Sequence, residues 1–199
     1  MKYYVYAPII AVLCALMIVP ITACSPSQAN INKAVTDIGN VMGIVNTSLT
    51  ALQADIALFP ANDQTVIGPY VSKGITDSAA VKSLCATYLA APSASVLSQI
   101  SATFSSLAAD GASATLSILQ IKDPNSQQIA RGIIAAIATA LAISSVYLAN
   151  TGVATPASTT ASIETMKPFV DRAQLANELQ RAKNQGLAPQ SYTLAQAGF

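Results

Sequence analysis

Residues 31–56 read INKAVTDIGNVMGIVNTSLTALQADI, and the spacing of their apolar side chains indicates the fold class. Large apolar residues recur at intervals of three or four positions, at Ile31, Val35, Ile38, Val41, Val45, Leu49, Leu52 and Ile56. These intervals keep the apolar side chains on one face of an α-helix for about seven turns. Pro60 predicts the end of this helix, because proline has no backbone N–H with which to continue it.

A second helix is predicted from about Asp63 to Ala91, where apolar residues again recur at helical spacing. A residue that precedes proline avoids helical backbone angles. The Gly68-Pro69 pair therefore predicts a kink or a short break in this helix. Pro92 predicts its end.

Two more helices are predicted between Leu97 and Gly152. The apolar face of the third helix thins at Asp110-Gly111, where small residues replace large ones. Asp123-Pro124 predicts the start of the fourth helix, because aspartate caps free N–H groups and proline fits the first helical position. Four segments of roughly 25–30 residues joined by short loops predict an all-α fold, an antiparallel up-down four-helix bundle. We assign this bundle to residues 24–152.

The stretch from Gly132 to Ala149 carries no charge. Its length is at the lower limit for a helix that crosses a bilayer. A central helix of a bundle, buried on most sides, has the same composition. The sequence leaves both interpretations open, although its alanines, Thr139 and Ser144 favour the buried helix.

The composition changes after the fourth helix. Residues 153–163 are mostly small residues, Pro, Ser and Thr, and are predicted to form a linker without a packing face. Residues 164–199 are predicted to form a short additional C-terminal helix and a tail. A narrow apolar stripe makes Phe169, Leu175 and Leu179 candidate residues for binding a protein partner. The alternative is that this helix packs over the end of the bundle.

The composition also excludes several classes of function. Only 10% of the residues are charged, and 10 basic against 9 acidic residues leave a net charge of +1, so no basic surface for nucleic acid is expected. The chain has no histidine, the commonest general base and metal ligand. It also contains no phosphate-binding glycine loop, nucleophile elbow or metal-ligand spacing. We therefore expect no enzymatic activity, no cofactor and no metal.

The N-terminal segment has the features of a secretory signal. Lys2 precedes an uncharged apolar stretch from Ala7 to Ile21, and small residues follow it. Ile21-Thr22-Ala23-Cys24 resembles the lipobox of bacterial lipoproteins, which consists of an aliphatic residue, two small residues and a cysteine. The alternatives are an ordinary signal peptide and an uncleaved N-terminal helix.

The resemblance implies that residues 1–23 are a signal peptide and that Cys24, as the first mature residue, carries a diacylglycerol in thioether linkage. It therefore implies a cell-envelope protein attached to a membrane through its lipid. Ser25 follows the cysteine where retention in the inner membrane favours aspartate. Under the enterobacterial sorting rule this implies the periplasmic face of the outer membrane rather than the inner membrane.

The chain has three cysteines. Cys14 lies within the predicted signal peptide and Cys24 within the lipobox, so Cys85 is the remaining one. It shares a helical face with Val81, Leu84 and Tyr88, which predicts a buried thiol that acts as a small apolar side chain. The alternative is a redox-active or intermolecular cysteine, although no basic neighbour in the sequence would lower its pKa.

Two functions fit these observations. The first is a lipid-anchored, non-enzymatic envelope protein with a structural role or a role in binding an envelope protein. The alternative is a carrier or sensor of a small apolar ligand, held in a bundle cavity where Gly74, Gly111 and Ala114 leave space. A cavity of a few hundred Å³ would favour the ligand, whereas a filled core would favour the first function.

Overall fold

The computed structural model of the protein describes residues 27–149, 151–152, 156–170 and 172–184. These residues form six α-helices and two short 3₁₀ helices, and no β-strand occurs among them. The predicted all-α class is therefore confirmed. The α-helices are α1 (Gln28–Ile56), α2 (Ala61–Ala90), α3 (Ala94–Ser117), α4 (Pro124–Ala149), α5 (Ala157–Met166) and α6 (Arg172–Asn184). The 3₁₀ helices are Ile118–Gln120, directly after α3, and Lys167–Phe169, directly after α5.

Hydroxyl and carboxylate side chains cap three of the helices at their first turns. Ser27 Oγ accepts the backbone N–H of Asn30 in α1, and Ser93 Oγ accepts that of Val96 in α3, each at 3.2 Å. Asp123 Oδ2 accepts the backbone N–H of residue 126 in α4 at 2.8 Å. The helix start predicted at Asp123-Pro124 is therefore confirmed.

The sequence predicts a kink or a short break near Gly68. Helix α2 continues without interruption through Pro69, so the short break is wrong. Pro69 removes one hydrogen-bond donor from a helix of 30 residues, and its ring lies on the exposed side. On the opposite side, Ile67 and Val71 are 1% and 3% exposed and hold α2 against the core on either side of the proline. Burial of this face outweighs the local preference against a helix.

Helices α1 and α2 run antiparallel. Near the start of α1, Gln28 Nε2 donates to Tyr88 Oη at the end of α2 (2.9 Å). Near the other end of the pair, Gln53 Nε2 donates to Ser72 Oγ (3.1 Å). The two backbones also lie close, because a Cβ at Gly39 would lie 3.3 Å from Cys85 Cβ.

Helices α2 and α3 are also antiparallel, and one buried carboxylate ties the start of α2 to the turn after α3. Asp63, 2% exposed, accepts the backbone N–H groups of Lys122 and Asp123, one on each oxygen at 3.1 Å. Further along, Ser106 of α3 donates to Asp77 of α2. The molecule therefore has two ends, which we call the Ser27 end (start of α1, the α2–α3 turn) and the Asp63 end (start of α2, the α3–α4 turn).

Helix α4 runs from the Asp63 end towards the Ser27 end and forms the centre of the fold. It packs against α1 and α3 and is further covered by α5, α6 and the second 3₁₀ helix. Its described side chains from Ile137 onward are nearly all buried, and Leu141, Ala142 and Ser144 are each 0% exposed.

Residues 157–163 belong to α5, so the linker predicted over residues 153–163 is wrong for this part. Residues 153–155 lie outside the described residues. Helix α5 has a packing face, because Thr159 and Met166 are 0% exposed and Ile163 is 7% exposed. The helix predicted from residue 164 is instead divided between α5 and α6 by Lys167–Phe169, at Pro168.

Candidate functional site

The four residues of the predicted lipobox, Ile21, Thr22, Ala23 and Cys24, lie outside the described residues. The described chain begins at Ser27, which caps α1. The described part of the chain therefore starts three residues after Cys24, at the Ser27 end.

The candidate partner-binding stripe lies mostly within the protein. Leu175 is 0% exposed and Leu179 is 5% exposed, and both belong to the same apolar core as the helices α1 to α4. Phe169 is partly buried and packs against this core. The geometry therefore matches the packed alternative, in which the stripe fixes α6 to the fold, and these residues do not form a free binding surface.

The apolar face of α3 is thin at Gly111, and a side chain from α5 fills the space beside this glycine. A Cβ at Gly111 would lie 2.7 Å from Met166 Sδ and 3.6 Å from Leu141 Cδ1, so only glycine admits Met166 at this depth. Thr159 of the same helix forms a hydrogen bond with Ser105 of α3. Helix α5 therefore fills the space beside Gly111 that a small apolar ligand would need.

The remaining cavity beside this contact is too small for a ligand. It has a volume of about 20 Å³ and lies among apolar side chains of α1 to α4, with Gly74, Gly111 and Ala114 in its lining and Asp110 at its rim. A single water needs at least about 10–15 Å³ by this measure, whereas ligand pockets measure about 300–1,000 Å³. The core is therefore filled at the position where the sequence suggested a cavity.

A polar cluster joins α2 and α3 at the rim of this cavity. Lys73 Nζ donates to both carboxylate oxygens of Asp110 at 2.7 Å, and Ser106 Oγ donates to Asp77 Oδ2 at 3.0 Å. The sequence contains a signal for this cluster. Lys73 and Asp77 are four residues apart in α2, and the two α3 residues of the cluster have the same spacing, which places each pair on one helix face. Because Lys73 is 55% exposed, the ion pair adds at most about 1 kcal/mol to stability.

The charges of this cluster perturb each other. Burial raises the pKa of the Asp77 carboxyl above its ordinary value of 3.8; the hydrogen bond from Ser106 opposes this, and the neighbouring Asp110 adds to it. The hydrogen bond to Asp110 raises the pKa of the Lys73 ammonium. The cluster links α2 to α3.

Cys85 is buried between α1 and α2, as predicted. It is 2% exposed and is a free thiol, and burial raises its pKa to about 12. A thiol that stays protonated and shielded is a poor nucleophile and a poor metal ligand. The geometry matches the role of a small apolar side chain.

Two further observations concern the described residues only. No group of three or more His, Cys, Asp or Glu side chains among them is placed to hold a metal ion. None of the described helices, α4 included, is both long enough and apolar enough to cross a membrane.

Exposed apolar side chains concentrate at the Asp63 end. Leu58 in the α1–α2 turn is 84% exposed, and Leu116 and Leu119 at the end of α3 are 62% and 71% exposed. Ile129, in the second turn of α4, is 41% exposed. Exposed apolar side chains that form a contiguous patch are typical of surfaces that contact other molecules.

Comparisons of the chain with protein-family models, with curated proteins and with solved structures give no match.

Proposed function

We propose that the protein is a lipid-anchored, non-enzymatic envelope protein whose helical domain serves a structural or protein-binding role. The observation that carries this proposal is the position of the Ile21–Cys24 box directly before the fold. Only residues 25–27 separate Cys24 from α1, whose first turn is capped by Ser27. Cleavage before Cys24 would remove nothing from the described fold and would leave the lipid at its edge.

Within this proposal, α1 to α4 form an up-down four-helix bundle, which α5 and α6 extend. The antiparallel pairs α1–α2 and α2–α3 support this arrangement, as does the packing of α4 against both α1 and α3. The stability of such a bundle comes mainly from the apolar faces that its helices share.

The filled core argues against the alternative function, a carrier or sensor of an apolar ligand. The side chain of Met166 lies over Gly111, and about 20 Å³ of space is left beside it. Opening a ligand cavity would require α5 to leave the fold and expose the buried side chains of Ile163 and Met166. The surface of the Asp63 end, with Leu58 and Leu119 exposed, instead supports a role in binding a protein.

The anchor is tested by metabolic labelling with a palmitate analogue in a bacterial host. We expect the wild-type protein to be labelled and recovered with membranes, and Cys24→Ser to be unlabelled. Cys85→Ser is the matched control, because it removes the other mature thiol and should stay labelled. Labelling that persists in Cys24→Ser, or is absent from the wild type, would refute the proposed lipid anchor.

A further inference from the structure

Charge is distributed unevenly between the two ends of the molecule. Residues 83–109 and 132–163 contain no Asp, Glu, Lys or Arg. The first range covers the end of α2 and most of α3, and the second covers most of α4 and the start of α5. The first range includes the α2–α3 turn at the Ser27 end.

The α2–α3 turn at this end is exposed but uncharged. Leu89 is 39% exposed, and Ala90, Pro92 and Ala94 are exposed as well. On α1, the cation Lys33 is exposed in the second turn. By contrast, the Asp63 end carries Lys122 and Asp123 in its turn, next to the buried Asp63 carboxylate.

Geometry fixes which end lies closest to the anchor. Residues 25–27 allow at most about 14 Å between Cys24 and Gln28, the first residue of α1. Helix α1 has 29 residues and therefore spans about 44 Å, so the Asp63 end cannot reach the bilayer in which Cys24 is embedded while α1 stands upright.

We infer that the Ser27 end lies directly on the phospholipid surface, with the α2–α3 turn at the depth of the headgroups. This inference rests on the proposed lipid anchor. Contact with lipid removes water from the surface that touches it, which is costly for a charged side chain and cheap for Ala, Pro and Leu. The uncharged turn therefore fits a lipid surface, and the ammonium of Lys33 on α1 can extend to headgroup phosphates.

The contact should depend little on headgroup charge. Polybasic attraction to anionic lipid needs several clustered cations, and the first two turns of α1 together with the α2–α3 turn supply Lys33 alone. The orientation holds α1 upright and presents Leu58 and Leu119 at the Asp63 end, away from the bilayer.

The test uses the acylated full-length protein in phosphatidylcholine vesicles, with a fluorophore on an introduced cysteine. The label is placed at Ala91→Cys in the α2–α3 turn, and at Asn62→Cys at the Asp63 end as the matched control. Wild-type protein, treated with the same fluorophore, serves as a control for labelling at Cys85. Flotation with the vesicles checks the anchor, and lipids with brominated chains report contact of the label with the bilayer.

We expect vesicle-bound protein with a blue-shifted, quenched label at position 91 and an unquenched label at position 62, in neutral and anionic vesicles alike. Vesicle-bound protein in which both labels stay aqueous would overturn the inference and leave the anchor intact. Stronger quenching at position 62, or quenching at position 91 only with anionic lipid, would also overturn it. Protein that does not float with the vesicles would overturn the anchor itself.

Discussion

The sulfur of Met166 in α5 lies 2.7 Å from the position that a Cβ on Gly111 of α3 would occupy. Glycine at position 111 thus admits a large side chain from a helix that follows much later in the chain. Met166 fills the space beside the small residues of α3 at Gly111, and this contact holds α5 against the fold.

Gly111→Ala should lower the free energy of unfolding, because the added methyl group overlaps a side chain that is 0% exposed. Overpacking of this kind costs about 1–3 kcal/mol. Gly43→Ala is the control, since its Cβ would lie 3.8 Å from Lys82 Nζ, an ordinary contact, and alanine is the better helix former. Chemical denaturation should rank Gly111→Ala below the wild type and Gly43→Ala at or above it.

A double-mutant cycle checks that the Gly111 effect comes from Met166. Met166→Ala alone should cost roughly 2–5 kcal/mol, since it leaves a cavity in the core. In that background Gly111→Ala should no longer destabilise the protein, because its methyl group enters the vacated space. Additive losses in the double variant would contradict the contact.

Asp63→Ala should destabilise the protein strongly. The carboxylate accepts two backbone N–H groups of the α3–α4 turn while 2% exposed, and hydrogen bonds to a charged group contribute about 1.5–3 kcal/mol each. Asp63→Asn retains one acceptor oxygen and should lose less. The exposed Asp55→Ala serves as the control, with a change in unfolding free energy within about 0.5 kcal/mol. Equal effects of the Asp63 and Asp55 substitutions would contradict the assigned role of Asp63.

The pKa of Asp77 gives a pH dependence of known sign. The pKa of Asp77 is raised in the folded state. The stability that the protonated Asp77 carboxyl contributes is therefore present below pH 3.8 and lost as pH rises through the folded pKa. Asp77→Asn removes this loss, so the stability of the variant relative to the wild type should increase with pH in this window. Urea denaturation at a series of pH values measures the difference in unfolding free energy between Asp77→Asn and the wild type. A difference that does not change with pH would contradict the prediction.

Asp123 provides the control of opposite sign. Hydrogen bonds from the backbone and hydroxyl of Ser126 hold the pKa of Asp123 below its ordinary value of 3.8. The stability that Asp123 contributes is present above pH 3.8 and lost as pH falls through the folded pKa. The stability of Asp123→Asn relative to the wild type should therefore decrease as pH rises through this range.

Cys85 should resist thiol reagents in the folded protein. Burial raises its pKa to about 12, so almost no thiolate is present at pH 8, and α1 shields the sulfur. Ellman's reagent should modify Cys85 only after denaturation. Rapid modification of the native protein would show that α1 and α2 separate at this point.

The first four helices could be predicted because the spacing of apolar residues is a local property of the chain. Their ends carried local signals as well, such as Pro60, Pro92 and Asp123-Pro124. Local preference misled at Gly68-Pro69, where burial of Ile67 and Val71 keeps α2 continuous.

Helix α5 could not be predicted in this way. Its residues 157–163 are Ala, Ser, Thr and one Ile, which match a linker as well as a helix. Its place in the fold depends on Gly111 and on the bond between Ser105 and Thr159, contacts between residues far apart in sequence. The burial of Leu175 and Leu179 depends on the same long-range packing, so the stripe resembled a surface for a partner.

The mass of the mature N-terminal peptide tests the proposed anchor most directly. Trypsin cleaves after Lys33, so the wild-type protein purified from membranes should yield the peptide 24–33. We predict that this peptide begins at Cys24 and carries the added mass of a diacylglycerol, together with an acyl group on its amino terminus in hosts that add one. An unmodified peptide 24–33, or one that retains residues before Cys24, would contradict the proposed lipid anchor.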